Sequence, residues 1–401
     1  MTCNKQQITE APIPASGRHT PRIPFITTGA SRRAFVKGVA GFLGGSACLS
    51  LAHPAFADGL PPLPAASMTS EKDAKITTLI VGGGVDSLPS RWASLLAAPL
   101  GLGSGADRPL QLQQTTGRDG VTAANIFDTQ NGGDNDRSLI VPGATLLASM
   151  IGDPRVHFDP TRWIPIFMAI SSPIVVGHAD FHRSLRTLLK PRQVRVAVST
   201  PDGPELPTLL AMQLLSMAPV PVPGYASPES ALEALKKGLV DIVQLPAETI
   251  GQQPVSTLLE GTGADVLFRL PPANFSTSSD QNTIPDFTRW FKMQRNHLPS
   301  GAMADAFNAT AAAISTDALL AMPILSSADQ TARWRHAASA ALNDPAVRAE
   351  GIQMSAMLAA GTSCVPLFAQ LTPDATALLA LRRWLARQMP LWQGNKPPGK
   401  P

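Results

Sequence analysis

The chain is poor in the residues that usually identify chemistry. Of its 401 residues three are cysteine and one is tyrosine, and charged residues make up only 15%. Cys3 and Cys48 fall within the first 57 residues, so Cys364 stands alone beyond them and cannot form an internal disulfide. It sits in Gly361-Thr362-Ser363-Cys364 with no histidine close in sequence, which fits a buried structural thiol better than a nucleophile. No G-x-S-x-G elbow occurs, and this removes the α/β-hydrolase serine arrangement. His178 and His182 are four apart, a spacing that suits a metal on one helix face. They fall at a strand end and a helix start, however, and are expected to diverge; no metal and no cofactor is expected. Past the first 57 residues no apolar run approaches the roughly 18 residues of a membrane helix, which predicts a soluble mature protein.

What is present begins with a leader. Ser31-Arg32-Arg33-Ala34-Phe35-Val36-Lys37 precedes a short, Gly-rich, weakly apolar run from Val39 to Leu51, and Ala55-Phe56-Ala57 follows. A charged segment, a short apolar segment and an A-x-A site define a secretory signal, here with cleavage after Ala57. The paired Arg32 and Arg33 assign it to the twin-arginine (Tat) translocase. Removing it changes the electrostatics. Six of the 33 basic residues and one of the 29 acidic residues lie in the leader, leaving 27 against 28, or −1. The basic character of the whole chain therefore gives no support to nucleic-acid binding, and no basic stripe interleaved with aromatics occurs elsewhere.

Residues 58–73 are rich in Pro, Ala and Ser and are expected to be a disordered lead-in. Beyond them, short β-branched runs alternate with helical patterns. Strands are expected over 75–81, 110–113, 138–141, 173–177, 194–198 and 240–243, with a proline-interrupted edge strand at 220–222. Helices are expected from Ser87, over 121–130, 181–189, 206–217 and 228–237, the last ending at Gly238. The Ala-rich tail from Ala302 reads as three or four amphipathic helices with a break at Asn343-Asp344-Pro345. Such alternation predicts an α/β protein with largely parallel sheets.

Three strand-to-helix loops stand out. Gly83-Gly84-Val85-Asp86-Ser87 follows the first strand, Pro142-Gly143-Ala144-Thr145 a later one, and Ser199-Thr200-Pro201-Asp202-Gly203 the strand at 194–198. Loops of this kind place backbone N–H groups at a helix N-terminus, where a carboxylate is favoured. The same residues also serve as ordinary tight turns and caps. A dinucleotide fingerprint is not met, because Ser87 occupies the third glycine position of Gly82-Gly83-Gly84-Val85-Asp86-Ser87. Gln244, just past the strand at 240–243, and Tyr225 are candidates to face a cleft, although each taken singly reads rather as a packing or rim residue. Arg118 would give bidentate recognition of a carboxylate from a cleft-lining turn, but Asp119 beside it points rather to a neutralised surface pair.

Several of these marks fall in the order of one family. The Gly83-Gly84-Val85-Asp86 loop with Arg91, the turn Gln114-Thr115-Thr116-Gly117-Arg118-Asp119-Gly120 and the segment Phe158-Asp159-Pro160 with Trp163-Ile164-Pro165-Ile166 are three of them. The block Gly224, Ala231-Leu232, Gly238-Leu239-Val240-Asp241 and then Asn343-Asp344-Pro345-Ala346-Val347-Arg348 complete the series. Together they resemble the Bug-type receptors of tripartite tricarboxylate transporters, from about residue 75 to 390. The sequence departs from the family at Gly82, at Arg118-Asp119, in the one-residue longer spacing to Arg91, and around Glu205.

The resemblance implies a type II periplasmic-binding-protein-like fold, lobe I from 74–170 plus 275–401 and lobe II from 171–274. It implies a periplasmic receptor that captures a small organic ligand, a carboxylate, and docks on membrane permease subunits. The ligand-binding residues are then Gly83, Gly84, Val85, Asp86, Ser87, Gly143, Ala144, Ser199, Thr200, Gly203, Tyr225 and Gln244. The rival readings are a receptor-like sensor or scaffold, and a Tat-exported enzyme of unlocated chemistry. Replacing Arg32 and Arg33 by lysine should hold the precursor in the cytoplasm, whereas the exported wild-type chain should begin at Asp58 by mass spectrometry. Export that survives the double replacement would remove the twin-arginine assignment.

Overall fold

The computed structural model describes residues 77–103, 110–129, 137–178, 192–271 and 284–394. The leader with Arg32, Arg33 and Ala57, the lead-in at 58–73, the helix expected over 181–189 and His182 lie outside the described residues.

Strands β1 (Thr78–Val81), β2 (Gln111–Gln114) and β3 (Arg137–Val141) each lead into a helix: α1 (Leu88–Gly103), α2 (Val121–Thr129) and α3 (Ala144–Ile151). The parallel part of the first sheet is built from these units, β1 pairing with β2 on one side and β3 on the other. Leu79, Ile80 and Val81 are fully buried, as expected of a central strand with both faces covered. Asp159 caps a short 3₁₀ turn at Pro160–Arg162, accepting from the Thr161 N–H, and the chain then enters β4 (Trp163–Ile170).

After Ser171–Pro173 the chain builds a second sheet from β5 (Ile174–Gly177), β6 (Gln193–Val198), β7 (Ala218–Pro223), β8 (Ile242–Leu245) and β9 (Asp265–Arg269). Between these strands run α4 (Leu206–Leu214), α5 (Pro228–Lys236), α6 (Ala247–Gln252) and α7 (Val255–Leu258). Pro219, Pro221 and Pro223 remove a donor at every second residue of β7, which an edge strand tolerates, and β7 pairs with β6 alone. Ser227 caps α5, and Gly238 takes a left-handed conformation (φ 65°) just past its end.

The chain then returns through α8 (Phe287–Arg295) and α9 (Ala302–Ile314) to β10 (Thr316–Pro323). It ends with α10 (Ala328–Ala341), α11 (Pro345–Gln353), β11 (Met357–Ala360), α12 (Cys364–Gln370) and α13 (Ala375–Gly394). The first sheet runs β11-β4-β10-β3-β1-β2 and the second β7-β6-β8-β5-β9.

The two-sheet α/β architecture is present, but the largely parallel sheets of the sequence reading are corrected to mixed ones. Strand β10 is antiparallel to both β3 and β4, β11 is antiparallel to β4, and β5 is antiparallel to both β8 and β9. A chain that leaves one sheet for the other and comes back returns against its outgoing direction, so β10 opposes β4 and β9 opposes β5. The tail is likewise not all helix. Strand β10 (TDALLAMP) is buried at every position, so it lacks the period-two alternation that marks a half-exposed strand, and its alanines read as helix formers.

One core cluster reaches both sheets. It contains Leu139 and Val141 of β3, Val194, Val196 and Val198 of β6, and Phe268 of β9. Helix α9 joins them, packing on α3 and α13 as well as on α4 of the second sheet's layer. An aromatic chain completes the link: Phe268 meets Phe287 at 5.0 Å between ring centres, and Phe287 meets Phe307 of α9 at 4.4 Å. Phe307→Ala should therefore destabilise the chain by about 3–5 kcal/mol, with both sheets lost in one denaturant transition. Two separated transitions in that variant would show that the sheets have independent cores.

Candidate functional site

Loops at one edge of the two sheets meet around a cavity of about 290 Å³. Ser87 and Leu88 after β1, Arg118 after β2, and Pro142 and Ala144 after β3 line it from the first sheet. Pro204, Glu205, Gln244 and Glu248 line it from the second, and the crossing residues Ser171 and Pro173 lie at its floor with Thr316 and Asp317. Ligand crevices in α/β proteins form outside the carboxyl ends of strands, because helix N-termini and loop amides collect there. Strand β10 runs the opposite way, so its first residues, not its last, reach this edge.

The crossings are tied side by side. The Leu270 N–H donates to the Pro173 carbonyl (2.9 Å), the Ser171 N–H to the Ser315 carbonyl (2.8 Å) and the Ser315 hydroxyl to the Pro271 carbonyl (2.6 Å).

Asp317 is the residue that sequence reading missed. Ile170 pairs with Thr316 and Ala169 with Ala318, so Asp317 is the extra residue of a bulge in β10. Bulges re-aim a side chain at a sheet edge. Here the carboxyl is turned to the cavity while remaining 8% exposed. Its Oδ1 accepts from the Ser171 hydroxyl at 2.7 Å, and its Oδ2 is buried without a hydrogen-bond partner. Burial, reinforced by the charge of Glu248 and opposed by the Ser171 bond, pushes the carboxyl up to about 7. The signal available in the sequence was the polar triplet Ser315-Thr316-Asp317 inside an alanine-rich apolar stretch.

Two other acids line the same space. Glu205 accepts from the Ser199 N–H (3.1 Å) and the Ser199 hydroxyl (2.9 Å) through one oxygen, and burial lifts its carboxyl above the ordinary range against those bonds. Glu248 is held at 3.2 Å by Arg91, whose other nitrogen reaches Glu350 at 2.5 Å. Among the cavity-lining residues Arg118 is the sole basic one. The expected neutralisation of Arg118 by Asp119 is corrected. Asp119 pairs with Arg155 at 2.7 Å and accepts from the Val121 N–H, leaving Arg118 without an ion pair among the described residues.

Of the residues singled out by sequence, Ser87, Ala144 and Gln244 line the cavity. The polar atoms of Gln244 are engaged within the second sheet's own loops and helices, Oε1 accepting from Thr208 (2.7 Å) and Nε2 donating to the Pro204 carbonyl (3.1 Å). Gly84, Val85 and Asp86 form the exposed tip of the first loop, and Val85 is 74% exposed. Gly83 is a turn glycine at φ 105°, with a would-be Cβ only 2.6 Å from the Ser87 hydroxyl. Gly143 is needed for packing, since a Cβ there would lie 1.7 Å from the Ala313 carbonyl oxygen of α9. Thr200 and Gly203 form the turn beside Glu205, and Tyr225 packs at the edge of the second sheet's own core. These residues are not among those lining the cavity. Among the described residues no group of His, Cys, Asp and Glu could hold a metal, and the buried Cys364 thiol is pushed up to about 12, chiefly by burial.

No protein-family model matches the sequence, and no curated protein matches it. Solved structures do match. A ligand-free TctC solute-binding protein from Polaromonas aligns with 79% of this chain and 99% of its own, at 12% identity and a TM-score of 0.55. The chain has the fold of a TctC solute-binding protein. MatC from Rhodopseudomonas palustris with bound malate covers 80% of this chain and 98% of its own at 17% identity and TM-score 0.45. The periplasmic binding protein BugD covers 79% and 95% at 13% identity and TM-score 0.44.

Asp317→Asn keeps an oxygen for Ser171 and removes the charge. A carboxyl raised from 3.8 to about 7 by folding favours the fold below the lower value and loses that contribution as pH rises through the upper one. The variant should therefore melt higher than wild type near pH 8, by on the order of 4 kcal/mol at most, and the gap should shrink near pH 4. Superposed melting curves near pH 8 would mean that the carboxyl is solvated rather than buried.

Proposed function

We propose that the chain is an exported receptor that captures a small organic solute in the cleft between its sheets and delivers it to a membrane permease of the tripartite tricarboxylate type. The observation that carries this reading is the cavity of about 290 Å³ lined by strand-end loops of both sheets and by both chain crossings. A space of that size, near the lower end of the usual range, suits a compact ligand. Closure is a hinge motion at the two crossings between the sheets, Ser171–Pro173 and Ser315. Arg118, free of ion pairs among the described residues, and the N-terminal turn of α1 beside Ser87 are the groups that would hold a carboxylate. The twin-arginine leader supports a periplasmic site of action.

The test is a thermal-shift screen against mono-, di- and tricarboxylates, amino acids, amines and sugars. A solute present at 100 times its dissociation constant should add about 2.7 kcal/mol to stability, without being chemically changed. A screen in which nothing shifts the melt sinks the receptor reading, and turnover of a bound compound replaces it with an enzyme.

A further inference from the structure

The receptor reading leaves the chemistry of the solute open, and the charges of the cleft bear on it directly. Asp317, Glu205 and Glu248 face the cavity, against one guanidinium, that of Arg118. Arg91 reaches Glu248 from outside the cavity but is shared with Glu350. A second carboxylate on the solute would have to lie among these acids, where like charges repel. The buried Oδ2 of Asp317 has no partner, although its Oδ1 is satisfied by Ser171. Buried carboxylate oxygens are normally matched by donors, because the desolvated lone pairs are otherwise left without compensation. What is missing at Oδ2 is a donor, and beside Glu248 a positively charged donor is favoured over a neutral one.

We propose, resting on the receptor reading, that the solute carries a protonated amine held by Asp317 and a carboxylate held at the Arg118 side, so that the cleft selects amino carboxylates over dicarboxylates. An ammonium supplies three donors and one positive charge at a single point, which suits one buried, unpartnered oxygen flanked by a second acid. The bulge in β10 aims Asp317 into the cavity, and Ser171, on the crossing itself, holds its other oxygen. Ligand capture and the position of the crossing are thereby coupled through one side chain.

The experiment is calorimetric titration of the full chain with ω-amino carboxylates from glycine to aminohexanoate, with the common α-amino acids, and with the dicarboxylates from oxalate to adipate. At least one amino carboxylate should bind about tenfold or more tighter than the dicarboxylate of equal length, and Asp317→Asn should weaken it by roughly 30-fold. The wild-type protein supplies an independent measure should that variant fail to fold. No histidine lines the cavity; its titratable groups are Asp317, Glu205, Glu248 and the permanently charged Arg118. Affinity for the amine should therefore fall as pH is lowered through about 7, where Asp317 takes up a proton. Dicarboxylates binding as well as their amino counterparts would overturn the proposal. So would unchanged amine affinity in the variant, or affinity that rises as pH falls, which would mean that a protonated Asp317 donates to a carboxylate. A result confined to dicarboxylates rejects the ammonium and leaves the receptor standing, whereas silence across the whole screen removes both.

Discussion

Much of this molecule depends on one strand that returns to the first sheet against the direction of its neighbours. The chain leaves that sheet at Ile170, builds the second sheet, and comes back as β10 between β3 and β4. Because β10 is antiparallel to both, its first residues meet the last residues of β3 and β4. The start of β10 is thus brought to the edge where all the strand-to-helix loops open. A bulge at that point separates Asp317 from the ladder and turns it toward the cavity. The same insertion places Ser315 against Ser171, so the outgoing and returning crossings share hydrogen bonds.

Helix α9 is the second consequence of the return. It precedes β10 and packs on α3 and α13 on one side and on α4 on the other. Its alanines at 309, 311, 312 and 313 let neighbouring backbones approach closely, and Gly143 is the counterpart that allows the contact with Ala313. The residues packed on α9 form continuous core, and its last residue, Ile314, reaches the cavity.

The cavity itself is acidic, with Asp317, Glu205 and Glu248 against one guanidinium, that of Arg118. Asp119, next in sequence to Arg118, is drawn away by Arg155 and by the start of α2, and this leaves Arg118 to the cavity. Ser199, whose hydroxyl and amide looked available for a ligand, spends both on Glu205. Gln244 spends its amide on Thr208 and Pro204. The neutral donors near the second sheet therefore stabilise its own loops, and the charged groups Asp317, Glu205, Glu248 and Arg118 remain at the cavity.

Local pattern was enough to reveal the strands at β1, β3, β5, β6 and β8, the edge character of β7, the capped start of α1, the end of α5 at Gly238 and the break before α11. Each of these is set by residues close in sequence: buried β-branched runs, alternating prolines, or a Ser, Asp or Gly at a helix end. The loops after β1 and β3 were also legible as strand-to-helix turns, and Ser87 and Ala144 line the cavity. Strand direction was not legible, because it is decided by which neighbour a strand finds after a crossing of more than a hundred residues. Nor was Asp317, since a carboxylate in an alanine-rich segment gives no local sign of burial, of a bulge, or of a partner 146 positions away at Ser171. By itself the sequence determined which segments become strands, helices and caps. Only the tertiary structure decided which charges face one another, because the pairing of β10 with β4 brings together groups that the chain keeps far apart.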